Sequence, residues 1–310
     1  MTQMTLLNGT PVSRLSFGTM QFGGTADAAE SRALYDRCRA AGITHFDTAV
    51  SYTDGASEKL LGPMVAAERE DVFLATKVGN SGGTSRANIM AQWDQSRSQS
   101  GLENVDLLYM HRFDDDTELE ETFSTLVEMQ QSGAIRYIGV SNYAAWQVMK
   151  AQNVAKSLGT RIDVIQPMYN LVKRQAEVEL IPMALDQDIA IVPYSPLGGG
   201  LLTGKYVDGG TGRLRDNAMY EARYREDFMH LAAKELAEIA KGIGVDPATV
   251  AVAWILHNPA GICPILSARS VDQLRPSLLA SDFVMTDDLY AQISALTPTP
   301  APATDRLEEA

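Results

Sequence analysis

The chain has 310 residues, of which 45% are hydrophobic and 21% charged, and its formal net charge is −13. This length and composition predict one globular domain over residues 1–310, with a substantial buried core. The acidic surface predicts no nucleic-acid partner, because it repels a phosphate backbone, and the absence of an apolar stretch near the ~20 residues of a membrane span predicts no membrane attachment.

The first predicted element is a small hairpin around Asn8-Gly9, a dipeptide typical of two-residue turns. After it, short apolar segments alternate with longer amphipathic ones. The predicted strands are Leu15–Phe17, His45–Asp47, Val72–Lys77, Val105–His111, Tyr137–Ser141, Val164–Pro167, Ala190–Tyr194 and Ile262–Ile265. The predicted helices are Ala28–Ala41, Ser57–Met64, Ser85–Ser100, Glu118–Ser132, Ala144–Leu158 and Gln175–Asp186, with Tyr224–Lys241 and Pro247–His257 as extra helices before the last strand.

This alternation indicates parallel βαβ units in an α/β protein. Eight repeats favour a (β/α)8 TIM barrel, and a doubly wound sheet is the alternative. Two segments interrupt the rhythm. Leu197–Glu221 is a long glycine-rich stretch that predicts a functional or mobile loop, and residues 297–310 predict a loosely ordered tail.

Four ionisable residues of different types lie at or just after the ends of three successive predicted strands. Asp47, Lys77 and His111 end these strands, and Tyr52 follows Asp47 by five residues. The carboxyl ends of the strands surround the active site in a (β/α)8 barrel, so we expect these side chains to converge.

Such a set suits the reduction of a carbonyl group. Hydride addition leaves an alkoxide, and Tyr52 can supply the proton that it needs. A neighbouring ammonium, Lys77, stabilises the phenolate and is expected to lower the pKa of Tyr52, while Asp47 keeps that ammonium charged. His111 can hydrogen-bond the substrate oxygen or relay a proton.

Other interpretations stay open at this point, because each of these residues alone is more often structural. A metal-dependent barrel hydrolase could use His45, Asp47 and His111, but no H-x-H motif or acidic cluster completes such a site, and we expect no bound metal. A short-chain dehydrogenase is disfavoured, because the chain has no N-terminal G-x-G-x-x-G motif.

Several blocks, in order from Gly18 to Leu274, resemble the aldo-keto reductase family, in particular its bacterial branch related to channel β subunits. They are residues 45–52 (HFDTAVSY), 55–62 (GASEKLLG), 75–79 (ATKVG), 106–111 (DLLYMH), 133–142 (GAIRYIGVSN), 194–198 (YSPLG) and 201–206 (LLTGKY). Because these blocks are independent and cover most of the chain, the resemblance is far more specific than one short motif.

The resemblance implies a (β/α)8 barrel with NAD(P)H extended across its mouth. It matches Asp47, Tyr52, Lys77 and His111 to the family's catalytic tetrad, with Tyr52 as general acid. The residues matched to cofactor contacts are Thr19, Met20, Asp47, Ser141, Asn142, Gln166, Tyr194, Ser195, Leu197 and Lys205, and those at the adenosine end are Ser267, Arg269 and Gln273.

The adenosine end departs from the classical branch of the family, which carries Lys where this chain has Ser267 and Arg where it has Gln273. Arg269 remains as a ligand for a 2′-phosphate, so NADP(H) is predicted, and NAD(H) stays open. Thr53 stands where a glycine commonly follows the catalytic tyrosine, so we expect the conformation of that loop to differ.

The predicted partner is a small-molecule carbonyl or sugar substrate, which would contact Tyr52, His111, Phe22 and Arg112. Arg112 could bind an anionic or polyhydroxylated substrate, or instead pair with one of the carboxylates at residues 114–116. A monomer or weak homo-oligomer is expected. The alternative function is a binding module that holds cofactor with little turnover, as in channel-associated members of the family.

No basic-to-apolar leader precedes the first predicted strand, and the two cysteines, Cys38 and Cys263, are too few for a disulfide framework. We therefore expect free thiols and a cytoplasmic protein.

Overall fold

Eight parallel strands form the centre of the protein in a computed structural model that describes residues 3–206, 209–306 and 308. They are β1 (Ser16–Gly18), β2 (His45–Asp47), β3 (Phe73–Val78), β4 (Val105–Met110), β5 (Ile135–Ser141), β6 (Val164–Gln166), β7 (Ala190–Ile191) and β8 (Ile265–Leu266). Each strand from β1 to β6 pairs with the next in sequence, and β1 also pairs with β8. This sequential order differs from that of a doubly wound sheet.

Backbone hydrogen bonds also join the two ends of this ladder. The amide of Cys263 donates to the carbonyl of Ile191 at 3.0 Å, and the amide of Ile265 donates to that of Pro193 at 2.9 Å. Three strands are bounded by prolines, because proline has no N–H for the ladder. β6 ends before Pro167, β7 stops two residues before Pro193 and β8 starts after Pro264, so these strands are shorter than predicted.

Helices follow the strands and cover the outside of the sheet. They are α1 (Ala28–Ala40), α2 (Ala56–Ala66), α3 (Arg86–Ser100), α4 (Leu119–Gln131), α5 (Ala145–Ser157), α6 (Leu180–Asp186), α7 (Arg213–Asp216), α8 (Ala218–Arg223), α9 (Asp227–Gly242), α10 (Pro247–His257), α11 (Val271–Leu278) and α12 (Asp287–Ser294). The helix predicted at Gln175–Asp186 is divided, since Gln175–Glu177 is a separate 3-10 turn and α6 begins at Leu180.

The segment predicted as one long loop, Leu197–Glu221, is partly helical. It contains a 3-10 segment at Gly198–Thr203, then α7 and most of α8, while Val207 and Asp208 lie outside the described residues. Asn217 caps α8 with its side chain, which accepts from the amides of Met219 and Tyr220. These short helices fold over the carboxyl ends of the strands.

The predicted N-terminal hairpin is reduced to one antiparallel bridge between Thr5 and Pro11. The turn is also longer than the predicted two residues, because the Leu6 amide bonds to the Thr10 carbonyl and Gly9 adopts a φ of 84°. Met4 and Leu6 pack against the inner side chains of the strands, so this segment covers the amino-terminal end of the sheet.

The predicted loose tail begins at an anchored residue. Thr297 is buried and accepts a hydrogen bond from Arg174 at 3.3 Å. Residues 298–306 contain no helix or strand, whereas Leu307, Glu309 and Ala310 lie outside the described residues.

Across residues 3–206, 209–306 and 308, no single helix is long and apolar enough to cross a membrane. The helices α9 and α10 meet that criterion only when they are taken together, and they are bent by 101° at the break between them.

Candidate active site

A cavity of about 720 Å³ opens at the carboxyl ends of the strands. Three of the four residues predicted to be catalytic, Asp47, Tyr52 and His111, line it. The fourth, Lys77, is fully buried directly beneath them. The volume lies within the usual range for small-molecule and cofactor sites, and the position is where (β/α)8 enzymes hold their substrates.

The base of the cavity is a buried ion pair between Lys77 and Asp47, which are 0% and 2% exposed. The Lys77 ammonium donates to Asp47 Oδ1 and to the carbonyl of Thr48 at 2.8 Å. Gln166 Nε2 donates to the other carboxylate oxygen of Asp47 at 2.8 Å. Burial by itself lowers the pKa of Lys77, but the combined effect of Asp47 and the phenol of Tyr52 raises it by more. The pKa of Lys77 therefore lies above its ordinary value.

The Tyr52 ring lies over this ammonium, with Lys77 Nζ 5.0 Å from the ring centroid. It also meets the His111 imidazole edge to face at 6.1 Å. Burial raises the pKa of the Tyr52 phenol more than the Lys77 charge lowers it. The net direction is therefore opposite to the one expected from the ammonium alone, and the phenol keeps its proton at neutral pH.

His111 lies one residue beyond the end of β4 rather than within the strand. Burial, followed by the charges of Lys77 and Arg112, lowers the pKa of the imidazole to about 3. Its Nδ1 is buried and has no hydrogen-bond partner among the described residues. A neutral imidazole carries one N–H group, which can donate to a substrate oxygen, but it is not a cationic acid near neutral pH.

The loop after Tyr52 is wound in a left-handed conformation. Thr53 and Asp54 have φ of 48° and 52°, and Gly55 has a φ of 84°. This conformation is strained for a β-branched residue such as Thr53. Two hydrogen bonds offset the strain, since Thr53 Oγ1 donates to the Phe22 carbonyl at 2.7 Å and accepts from the Ser57 amide at 3.1 Å. Thr53 therefore adopts a backbone conformation that favours glycine.

Four residues matched to nicotinamide contacts form one hydrogen-bonded chain along the cavity wall. Tyr194 Oη donates to Asn142 Oδ1 at 2.8 Å, and Asn142 Nδ2 donates to Ser141 Oγ at 3.2 Å. Ser141 Oγ in turn donates to the Gln166 carbonyl at 2.9 Å. All four line the cavity, so their polar groups face the space beside Tyr52.

The cavity continues toward β8 and α11. Besides the hydrogen-bonded chain of Tyr194, Asn142, Ser141 and Gln166, the predicted cofactor residues that line it are Met20, Ser195, Leu197, Lys205, Ser267, Arg269 and Gln273. Gln273 accepts a hydrogen bond from the Arg269 amide at 2.7 Å, which positions the start of α11. Gly200 in the turn has a φ of 95°, and a Cβ there would lie 3.0 Å from the Lys205 side chain. Only a glycine leaves the backbone open to a ligand at this point.

Besides Lys77, which lies beneath the cavity, two predicted site residues do not line it. Thr19 is fully buried and hydrogen-bonds Ser57 Oγ at 2.8 Å, and Phe22 is fully buried against Phe17 at 5.9 Å between ring centroids. Thr19 supports the loop from below, and Phe22 belongs to the hydrophobic core. Their neighbours Met20 and Gln21 reach the cavity instead.

Several cavity residues were not predicted. Most come from the interrupted segment after β7 and from α10, namely Gly199, Gly200, Thr203, Arg213, Met219, Tyr220, Arg223, Asp246 and Ala248. The unusual length and glycine content of that segment were the available signal, but they could not indicate which side chains turn inward.

The described residues contain no group of three or more His, Cys, Asp or Glu side chains arranged to hold a metal ion. His45 Nδ1 lies 2.8 Å from Ser16 Oγ inside the curled sheet, and its other nitrogen has no partner in the described part of the chain. His45 thus lies below Asp47 along the strand and does not join a site with His111.

The residues present fit a nicotinamide dinucleotide. The wall runs from Tyr52, Asn142 and Gln166, past the turn at Gly200, to Arg269 on the β8 side. Amides suit a carboxamide, an open backbone and Lys205 suit a pyrophosphate, and a guanidinium suits a phosphate. The set therefore offers suitable groups for each part of an extended cofactor.

Comparisons with known proteins show the family of this chain. The profile of the aldo/keto reductase family matches residues 14–298. An uncharacterized oxidoreductase, YrpG, of Bacillus subtilis (strain 168) is 33% identical over 314 residues, with 94% of each chain covered. A probable voltage-gated potassium channel subunit beta of Oryza sativa subsp. japonica is 31% identical, covering 93% of this chain and 94% of its own.

An L-glyceraldehyde 3-phosphate reductase of Escherichia coli (strain K12) is 31% identical over 300 residues, covering 88% of this chain and 85% of its own. The family profile spans nearly the whole chain, and relatives at this identity are matched over most of their length. This chain is therefore an oxidoreductase that belongs to the aldo/keto reductase family.

Proposed function

We propose that this protein reduces the carbonyl of an aldehyde, ketone or sugar with NADPH, and that Tyr52 is the general acid. The observation that carries the proposal is the position of the Tyr52 ring, 5.0 Å from a buried ammonium and in edge contact with a neutral His111, at the wall of a large cavity. When bound, the cofactor supplies the hydride. The names of two relatives, reductases of L-glyceraldehyde 3-phosphate and of norsolorinic acid, support a carbonyl substrate.

The residues of the site divide the work of proton transfer. His111 orients the carbonyl oxygen by a hydrogen bond, and Tyr52 gives that oxygen its proton as negative charge develops on it. The raised pKa of Tyr52 keeps the proton available beforehand. Lys77 then stabilises the phenolate, and Asp47 keeps Lys77 charged and in place.

The cofactor preference is proposed from Arg269. Arg269 lines the cavity together with Gln273 and Ser277, on the β8 side. A bidentate contact from this arginine would favour the 2′-phosphate of NADP(H) over the hydroxyl of NAD(H).

We also propose that the eight strands close into a (β/α)8 barrel through the hydrogen bonds between the β7 and β8 segments. The free thiols Cys38 and Cys263 fit a reducing cytoplasm. A monomer or weak homo-oligomer is proposed as the functional form.

The test is a paired titration with NADPH and NADH, followed by a panel of carbonyl substrates with the wild type and Tyr52→Phe. Because the variant loses only the hydroxyl, we expect cofactor affinity within about twofold of the wild type and a kcat lower by roughly 100-fold or more. Tyr143→Phe, the same change at a buried tyrosine outside the cavity, is the matched control.

A kcat of Tyr52→Phe within about threefold of the wild type would contradict the role of Tyr52. Cofactor binding without turnover of any carbonyl would instead favour the binding-module function, as in the relatives named as potassium channel β subunits. The tetrad is complete in this chain, which supports turnover.

A further inference from the structure

The cavity is basic, although the chain as a whole carries a net charge of −13. Five cationic side chains line it: Arg112, Lys205, Arg213, Arg223 and Arg269. The two carboxylates on the wall do not neutralise them. Asp47 pairs with Lys77, and Asp246 caps α10 by accepting from the Ala248 amide at 2.8 Å.

The proposed cofactor accounts for two of these cations, since Lys205 and Arg269 face its phosphate groups. Arg112 and Arg223 belong to the catalytic end. Arg112 directly follows His111, and the guanidinium of Arg223 stacks 5.4 Å from the ring of Tyr220, which also lines the cavity. Burial raises the pKa of Tyr194 there, and the charges of Arg223 and Arg112 oppose that shift, so both guanidinium groups lie within electrostatic reach of Tyr194.

Neither arginine has a carboxylate partner within 4.0 Å among residues 3–206, 209–306 and 308. Arg112 does not form the ion pair considered from the sequence, because Asp114 accepts instead from the amides of Thr84 and Asp116, at 2.7 and 3.1 Å. On the other side of Tyr220, Arg213 lies 5.4 Å from the ring and donates to its hydroxyl at 3.4 Å, which fixes the surface on which Arg223 stacks.

We propose that Arg112 and Arg223 form an oxyanion subsite for the substrate, so that the preferred substrates are aldehydes or ketones that carry a phosphate or carboxylate group. This inference rests on the proposed reductase function. Two guanidinium groups without a carboxylate partner in the described part of the chain can each bind such an anion through two N–H donors, and the acidic exterior leaves the cavity as the place where an anion is attracted.

The experiment compares kcat/KM for glyceraldehyde 3-phosphate with glyceraldehyde, and for succinic semialdehyde with butyraldehyde, at saturating NADPH. We expect the wild type to prefer the charged member of at least one pair by about 10-fold or more, and the pair that shows it identifies the anion. Arg112→Gln and Arg223→Gln should each lower that charged-to-neutral ratio about 10-fold.

Arg223→Lys keeps the charge and should retain part of the preference. Arg215→Gln removes an exposed arginine of α7 outside the cavity and should leave the ratio unchanged. Reduction of neutral and charged aldehydes at equal efficiency by the wild type would overturn the subsite and leave the reductase function standing. Reduction of no carbonyl would overturn the reductase function itself. A loss of NADPH affinity in Arg223→Gln, with an unchanged ratio, would assign Arg223 to the cofactor and overturn the subsite.

Discussion

His45 offers a quantitative test of the free-energy cost of a charged side chain inside the curled sheet. It is fully buried two residues before Asp47 on β2. Its Nδ1 lies 2.8 Å from Ser16 Oγ, and its ring contacts Phe73 edge to face with 4.9 Å between the ring centroids. Burial, followed by the charge of Lys77, lowers the pKa of His45 to about 3. The perturbation is His45→Gln, which keeps a hydrogen-bonding side chain and removes the titrating group.

The sign follows from where the proton binds. In the unfolded chain His45 is protonated near its ordinary pKa of about 6.5, whereas in the folded protein it is protonated only near pH 3. The stability from neutral His45 is therefore complete above pH 6.5 and is lost progressively as the pH falls toward 3. At pH 5 the loss covers about 1.5 pH units, which is about 2 kcal/mol at 1.36 kcal/mol per unit.

The assay is urea unfolding followed by circular dichroism at pH 8, 6 and 5. Between pH 8 and pH 5 the free energy of unfolding of His45→Gln should fall by about 2 kcal/mol less than that of the wild type. The contributions of the carboxylates and of His111 are common to both proteins and cancel in this comparison. His230→Gln, at an exposed histidine of α9, is the matched control.

Equal losses of unfolding free energy in the wild type and His45→Gln over this pH range would refute the prediction. They would mean that a charged imidazole at this position does not destabilise the folded protein. A decrease in slope of the same size in His230→Gln would refute it as well, because the effect would then not depend on burial of the ring.

Two further predictions concern the site itself. Lys77→Met should lower the unfolding free energy by about 3–5 kcal/mol, because it leaves the buried carboxylate of Asp47 without its partner; combining it with Asp47→Asn should cost clearly less than the sum of the two single changes in a denaturation cycle, and simple additivity would argue against a coupled pair. Arg269→Ala should weaken NADPH binding about 10-fold or more and NADH binding little, as measured by cofactor fluorescence; equal losses for both cofactors would remove Arg269 from the 2′-phosphate.

Much of the fold was predictable because its local patterns agree with one another. The family is confirmed, and eight parallel strands lie where apolar segments predicted them. Their ends were less certain. Proline at positions 167, 193 and 264 shortens the hydrogen-bonded ladder, and the helix expected from Gln175 starts only at Leu180. The segment after β7 was expected to be a loop, since two helices of four and six residues carry too little periodicity to be recognised.

The sequence alone determined which chemical groups stand at the strand ends. Position after a strand is a local property, and it was sufficient to bring Asp47, Tyr52 and His111 to one cavity with Lys77 below. Neighbouring residues in a loop were beyond its reach. Whether Met20 or Phe22 faces a ligand depends on the direction that the loop takes over α2, which only packing decides.

The tertiary structure alone decided the electrostatics. The charge of Lys77 suggested a lowered pKa for Tyr52, but burial outweighs it, and electrostatic interactions with Asp47 and with Tyr220 of α8 add to the rise. It also decided that Arg213 and Arg223 turn inward onto Tyr220, more than 100 residues beyond His111 in the chain. Dielectric environment and charge sum over all neighbours in space, and neighbours so far apart in sequence are known only once the chain has folded.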